Sequence, residues 1–246
     1  MSQTMLISGG SRGIGRATAL LAAGAGWDVA FTYRANRTAA EQVVAEIESL
    51  GGRAQAIAGD VAIEADVLRA FDHTQTTFGW IDAVVVNAGI VGSALPLAKM
   101  SVERMQQMFD TNILGAFLFA REAARRLPGQ EGGASIVFVS SAAARLGSPF
   151  EYVDYAASKG AIDTLTIGLS KELAGQGIRV NAVRPGLIET EIHASGGQPD
   201  RAQRLGQTVP MARPGSAQEV ARSILWFCSD DASYCTGALL DVAGGR

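Results

Sequence analysis

Seven short apolar runs, at residues 5–7, 29–33, 54–57, 83–86, 136–139, 180–183 and 238–240, recur along the chain with longer stretches of helical period between them. Most of these runs are apolar at consecutive positions rather than alternate ones, the mark of strands covered on both faces. Between them, Ala40, Val43, Ile47 and Leu50 fall on one helical face. Val67, Ala70, Phe71, Thr74 and Phe78 form a second stripe, and Ile162, Leu165, Leu169 and Leu173 a third. Such stripes need a core to bury against. Strand and helix in alternation predict an α/β fold, a doubly wound seven-stranded parallel sheet with helices on both faces and right-handed crossovers.

The rhythm runs through residues 1–246 without a linker, repeat or low-complexity block, so one domain is expected. It breaks once, over 187–214, where Ser195-Gly196-Gly197-Gln198-Pro199 and Pro210-Met211-Ala212-Arg213-Pro214 leave no room for a strand. An insertion at the carboxyl edge of such a sheet, where ligands bind, reads as a substrate lid. The plainer alternative is a surface excursion. With 48% hydrophobic and 18% charged residues, the chain can build a core and is not disordered. Its formal charge of −3 and the absence of a basic run exclude a nucleic-acid surface as its main business. The longest nearly apolar stretch, 17–27, is flanked by Arg16 and Asp28 and is too short to span a bilayer. The opening residues are too few and too uncharged for a signal peptide, so a cytoplasmic protein is the expectation. Cys228 and Cys235 are seven apart, and only His73 and His193 could join them. That spacing suits neither a disulfide framework nor zinc, and no metal is expected.

The first strand runs into Ser8-Gly9-Gly10-Ser11-Arg12-Gly13-Ile14-Gly15, followed by a helix-forming run. Glycines there let backbone N–H groups approach a diphosphate, and the helix N-terminus adds partial positive charge. Between the first strand and first helix of an alternating chain, the loop points to a dinucleotide. An NAD site of this type usually offers a carboxylate at the end of the second strand for the ribose hydroxyls. Here that strand ends in Thr32-Tyr33-Arg34-Ala35-Asn36-Arg37. No acid is present. Arg34 and Arg37, with Arg12, suit a 2′-phosphate, so the expected cofactor is NADP (NADPH). The bland alternative is a pair of solvated arginines at a helix start.

A third signal is Ser141 followed by Tyr155-Ala156-Ala157-Ser158-Lys159. Tyr155 and Lys159, four apart at a predicted helix start, share one face. A free phenol titrates near pH 10, too high for ready proton exchange at neutral pH. A nearby ammonium favours the phenolate and is expected to lower that value, as acid–base work on a carbinol requires. Ser141, after the strand at 136–139, is placed to hold a substrate oxygen.

With these motifs the chain resembles the short-chain dehydrogenase/reductase family in its compact single-domain form. The resemblance covers nearly the whole length, through Gly9-(x)3-Gly13-Ile14-Gly15, Asp60-Val61, Val86-Asn87-Ala88-Gly89, Asn112, Ser141, Tyr155/Lys159 and Arg184-Pro185-Gly186. It implies a Rossmann-type fold and reversible hydride transfer between NADP(H) and a small-molecule alcohol or carbonyl substrate. By that resemblance Tyr155 is the catalytic acid/base and Ser141 positions the reacting oxygen. Lys159 binds the nicotinamide ribose and depresses the tyrosine pKa, and Asn112 supports a water-mediated proton relay. Gly9, Ser11, Arg12, Gly13, Ile14 and Gly15 would bind the cofactor, and Asp60 and Val61 its adenine end. Asn87, Ala88 and Gly89 would line the cleft, and Pro185, Gly186, Ile188 and Thr190 would meet the nicotinamide amide. Structural readings stay open beside three of these: Asp60 as a helix cap, Asn112 as a core amide, and Asn87 as a tie between strand ends.

One departure stands out. Ser141 lies 14 positions before Tyr155, one more than in many relatives, which implies an extra residue within 148–152. Ser140 is the poorer candidate because neighbouring strand side chains point to opposite faces. His193 reads as a lid residue. The resemblance further implies a homotetramer built on the helices holding Asn112 and Tyr155. An NAD-preferring sugar or alcohol dehydrogenase and a non-catalytic cofactor-sensing scaffold are the alternatives.

Overall fold

All five side chains of β1 (Thr4–Ser8) are buried, as consecutive apolar residues require of a strand at the middle of a covered sheet. The computed structural model describes residues 2–127 and 133–246. After β1 come α1 (Gly13–Gly24), β2 (Asp28–Tyr33), α2 (Arg37–Ser49), β3 (Ala54–Ala58), α3 (Glu64–Phe78) and β4 (Ala83–Val86). Next are α4 (Val102–Phe109), α5 (Gly115–Arg126), β5 (Ala134–Val139), α6 (Ala143–Leu146), α7 (Val153–Leu173) and β6 (Ile178–Pro185). The chain closes with β7 (Ile188–Glu189), α8 (Ile192–Ser195), α9 (Arg201–Gly206), β8 (Gly215–Ser216), α10 (Ala217–Cys228) and β9 (Leu239–Val242).

Seven strands form one sheet in the order β3-β2-β1-β4-β5-β6-β9, and every neighbouring pair is parallel. The expected Rossmann-type, doubly wound architecture is therefore present. Alternate residues of each strand face opposite sides. Met5, Ile7, Val29, Phe31 and Val137 pack in a core shared with α1, α2 and α10. Leu6, Ala30, Val84, Ile136 and Phe138 pack in a second core with α3, α5 and α7. Each of these side chains larger than alanine, fully buried, contributes about 1.5–3 kcal/mol. Cys228 lies in the first core, where burial pushes its thiol up to about 12, so it is inert at neutral pH. Cys228 and Cys235 are both unpaired.

Three sequence expectations need correction. The 187–214 insertion does contain a strand, since Ile188–Glu189 pairs in parallel with Gly215–Ser216. Two residues are too few to register as periodicity. The last strand begins at Leu239 rather than 238 and runs on to Val242. Leu50, placed on the buried stripe of α2, is 68% exposed, because the helix ends at Ser49 and Gly51 turns the chain at φ +80°.

The winding direction reverses between β1 and β4. Loops leaving their carboxyl ends diverge to opposite faces there, which opens a crevice.

Candidate active site

A crevice of about 860 Å³ follows the carboxyl edge of the sheet. Gly9, Ser11, Arg12, Gly13, Ile14 and Arg34 line it near β1 and β2, and Asp60 and Val61 follow β3. Asn87, Ala88 and Gly89 follow β4, and Ser141, Tyr155, Lys159, Pro185, Gly186, Ile188 and Thr190 line the part beyond β5 and β6. Gly15, Arg37 and Asn112 do not line it.

The Gly-rich loop turns through Gly9 at φ +72°, a left-handed conformation that favours glycine. Helix α1 then begins with no side-chain cap and no acidic residue in its first turn. By contrast α2 is capped by Asn36, whose Oδ1 accepts from Ala39 N, and α10 by a reciprocal Ser216–Glu219 box. The open first turn of α1 therefore keeps N–H groups and partial positive charge free for an anion. Gly15 serves that turn from behind. A Cβ there would overlap Gly9 O and come within 2.6 Å of Asn87 Nδ2. Gly15→Ala is accordingly expected to cost about 1–3 kcal/mol of overpacking, seen as a lowered melting temperature together with weakened nucleotide binding.

The arginines separate. Arg37 Nε bonds Glu41 Oε1 at 2.7 Å on the outside of α2, so Arg37 faces away from the crevice. Arg34 stays at its edge, with Nε 3.2 Å from Asp60 Oδ2. Arg12 Nη1 donates to Ser195 Oγ across the mouth at 3.4 Å. Asp60 does not cap α3, whose N-cap is Ile63. Its Oδ1 accepts from Ala62 N in a local turn.

Asn87 performs the strand-tying role. Its Nδ2 donates to Ser8 O and Gly9 O, while Ser8 Oγ accepts from the Asn87 and Ala88 amides. Asn112 sits in a π-helical turn, Asp110–Leu114, between α4 and α5. Its Oδ1 accepts from Ile90 N, and its Nδ2 reaches Ile90 O, Met108 Sδ and Ser158 Oγ at 3.0–3.1 Å. The amide thus locks the segment after β4 to α7 from beneath the crevice, next to Gly89 and Lys159.

At the far end, Tyr155 and Lys159 lie in the first two turns of α7. Ser141 and Tyr155 line the same end of the crevice, and Ser141 Oγ accepts from Ala143 N at 3.1 Å. Ser140 points elsewhere, donating to Lys159 O and Asp163 Oδ1. The chain between them turns through Ser148 at φ +43° and Phe150 at φ +65°, strained values for non-glycine residues, within the stretch expected to hold an extra residue. Lys159 is 4% exposed, and its Nζ donates to Val139 O at 2.7 Å. Burial lowers the ammonium to about 8, partly opposed by Asp163.

The expected depression of the phenol pKa is absent. Burial raises Tyr155, and the nearby Ser141 hydroxyl only partly opposes this. The reason is geometric. Lys159 Nζ lies over the aromatic ring, 5.7 Å from its centroid, and is held by Val139 O.

Sequence reasoning missed the supports. Asp163 binds Ser140 and Arg184 while its charge acts on Lys159, and its i+4 spacing from Lys159 was the available clue. Arg104 pairs with the buried Asp154, whose Oδ1 accepts from Tyr155 N at 2.9 Å. The insertion packs across the opening, with His193 Nε2 bonded to Ile188 O and its pKa lowered by burial. Among the described residues no helix is long and apolar enough to cross a membrane.

Residues 9–246 match the family model described as enoyl-(acyl carrier protein) reductase. The chain is 51% identical to the uncharacterized oxidoreductase YgfF of Escherichia coli strain K12, over 98% of both chains. It is 38% identical to a 3-oxoacyl-(acyl-carrier-protein) reductase of Synechocystis sp., over 99% of this chain and 96% of that one. In three dimensions it superposes with a TM-score of 0.91 on the 3-ketoacyl-(acyl-carrier-protein) reductase of Brucella melitensis complexed with NADH. Identity there is 30%, covering 99% of this chain and 98% of the other.

Proposed function

Because the chain belongs to the short-chain dehydrogenase/reductase family and is thereby a nicotinamide-dependent oxidoreductase, we propose that it interconverts an alcohol and a carbonyl with NADP(H), using Tyr155 as acid and base. The observation that carries this reading is the meeting of Ser141, Tyr155 and Lys159 at one end of a crevice whose other end is the open first turn of α1.

The residues fit a dinucleotide. The uncapped helix start and Gly9 suit a diphosphate, and Asp60 and Val61 flank the adenine end of the crevice. When bound, the nicotinamide supplies or accepts the hydride. Lys159, Pro185, Gly186, Ile188 and Thr190 would hold its ribose and amide. In reduction, Tyr155 gives its proton to the carbonyl oxygen while Ser141 steadies that oxygen as negative charge develops on it. A phenol held protonated by burial is in the correct state for that step. Asn112 would act on the proton path through the backbone it fixes.

The preference for NADP rests on Arg34. Its pairing with Asp60 is half-exposed and therefore weak, so a phosphate dianion can displace it. Arg34→Ala is expected to weaken NADPH binding about tenfold and to leave NADH binding nearly unchanged. Arg37→Ala is the control, since that residue faces Glu41. Equal losses for both nucleotides would remove the phosphate assignment. The alternative is an NAD-preferring dehydrogenase, favoured by the NADH complex of the Brucella relative.

The protein would act on small-molecule carbonyls in the cytoplasm as a homotetramer. Exposed Val102, Phe109, Leu114 and Phe117 on α4, α5 and the turn between them give the apolar surface such an assembly would cover. The deciding experiment is a screen of ketones, aldoses and β-ketoacyl esters with NADPH and NADH, followed by nicotinamide absorbance. No oxidation of either nucleotide across the panel would overturn the reading.

A further inference from the structure

Arg201 in α9 is 9% exposed, yet no part of the hydride-transfer scheme uses it. Its guanidinium makes a two-pronged ion pair with Glu151, Nη1 to Oε1 at 2.9 Å and Nη2 to Oε2 at 2.6 Å. It also lies over the Tyr152 ring, 5.1 Å from the centroid. One turn earlier, Gln198 Nε2 donates to the Tyr152 hydroxyl at 2.6 Å. Glu151 in turn accepts from Leu95 N through its backbone carbonyl. The guanidinium thus joins the segments around residues 151 and 201, and the Glu151 backbone carries the link on to residue 95.

We propose that Arg201 is a positioning residue for the substrate half of the crevice, clamping the strained 148–152 loop, and with it the approach to Tyr155, against the 187–214 insertion. The proposal rests on the oxidoreductase reading for what the crevice admits. Two features make a clamp a better description than ordinary packing. Among the described residues, Arg201–Glu151 is the ion pair that joins the insertion to the loop across the opening. The others in the insertion are Arg204–Asp200, which is internal to it, and Arg213–Glu219, which faces α10. The pair is also asymmetric, with the Arg201 side chain at 11% exposure and the Glu151 side chain at 39%. Water can reach the carboxylate, so the clamp can open from that side without stranding both charges in apolar surroundings.

Behind the loop, Arg104 binds Asp154 at 2.9 Å and Ser93 O, and Asp154 holds the Tyr155 amide. Arg104 belongs to α4 and Asp154 to α7, outside the insertion. The start of α7 is therefore anchored independently, and opening the Arg201 clamp frees the substrate wall while the base of Tyr155 stays seated. Lysine cannot replace this arginine. It lacks the planar fork for two parallel bonds and stacks poorly on a ring.

The test uses the NADPH-loaded enzyme with three variants, Arg201→Met, Arg201→Lys and the swap Glu151→Arg with Arg201→Glu. Glu151→Gln is the milder probe should Arg201→Met fold poorly. Arg201→Met is expected to raise KM for the carbonyl about tenfold with kcat and NADPH affinity changed less than about twofold. Arg201→Lys should behave nearly as badly, and the swap should recover part of the loss. Amide hydrogen exchange over 148–152 and 192–206 should quicken in Arg201→Met and not elsewhere. Unchanged KM and exchange overturn the proposal, as does an equal loss of substrate and NADPH affinity that the swap leaves unrepaired. Exchange and NADPH affinity need no substrate. A wild-type enzyme that turns over no carbonyl therefore overturns the oxidoreductase reading while the exchange result still decides the clamp.

Discussion

Tyr155→Phe is expected to lower turnover about 10²–10⁴-fold, the range for losing a positioned general acid. The variant removes one oxygen and leaves the ring beneath Lys159 Nζ intact. Nucleotide affinity and melting temperature should therefore stay close to wild type, and titration with NADPH beside a steady-state assay checks both. Turnover within about tenfold of wild type would mean that another group supplies the proton. The phenol lies above its ordinary value because it is buried. In the free enzyme the phenol is accordingly in its acid form, and under the proposed mechanism the base form for alcohol oxidation would have to be generated after binding.

Lys159→Met carries the second large effect, and its two parts have opposite signs. Turnover should collapse, because the ammonium assigned to the nicotinamide ribose is gone. Stability at neutral pH should rise. The folded-state value of about 8 lies below the ordinary 10.5, so the folded protein binds this proton less tightly than the unfolded chain does. That difference costs about 3 kcal/mol at every pH below about 8. The cost fades as pH climbs from there towards 10.5, where the unfolded chain also gives up its proton. Methionine removes the burden and leaves Val139 O without its donor, a loss of about 1 kcal/mol. A net gain of about 1–2 kcal/mol corresponds to a few degrees in melting temperature for a chain of this size. The gain should shrink when the melt is repeated at high pH. A variant less stable than wild type at neutral pH would show that the ammonium supports the fold.

The sheet was legible because a parallel strand buried on both faces writes itself as consecutive apolar residues, as β1 and β4 do, while Gln55 in the edge strand β3 and Asn181 in β6 interrupt theirs. The two-residue pair Ile188–Glu189 with Gly215–Ser216 left no such trace, since a strand that short has no period. That Tyr155 and Lys159 share one face of α7 was legible from four-residue spacing, and that Ser140 and Ser141 part company just after β5 from the alternation of neighbouring side chains. What spacing could not give was direction. Arg34 and Arg37 look equivalent in sequence, yet Arg37 turns outward to Glu41, one helical turn on. Nor could it weigh desolvation against an adjacent cation, which is why the phenol moved up and not down. Arg201 and Glu151 stand fifty positions apart, and no local pattern joins them.

The uncapped start of α1 has a consequence beyond catalysis. Amides that no side-chain cap satisfies tie folding to whatever anion fills that turn, so occupancy adds directly to resistance against unfolding. In a cell, copies without nucleotide would open more often and meet proteases sooner. Protein abundance would then track the supply of the molecule the crevice is built to hold.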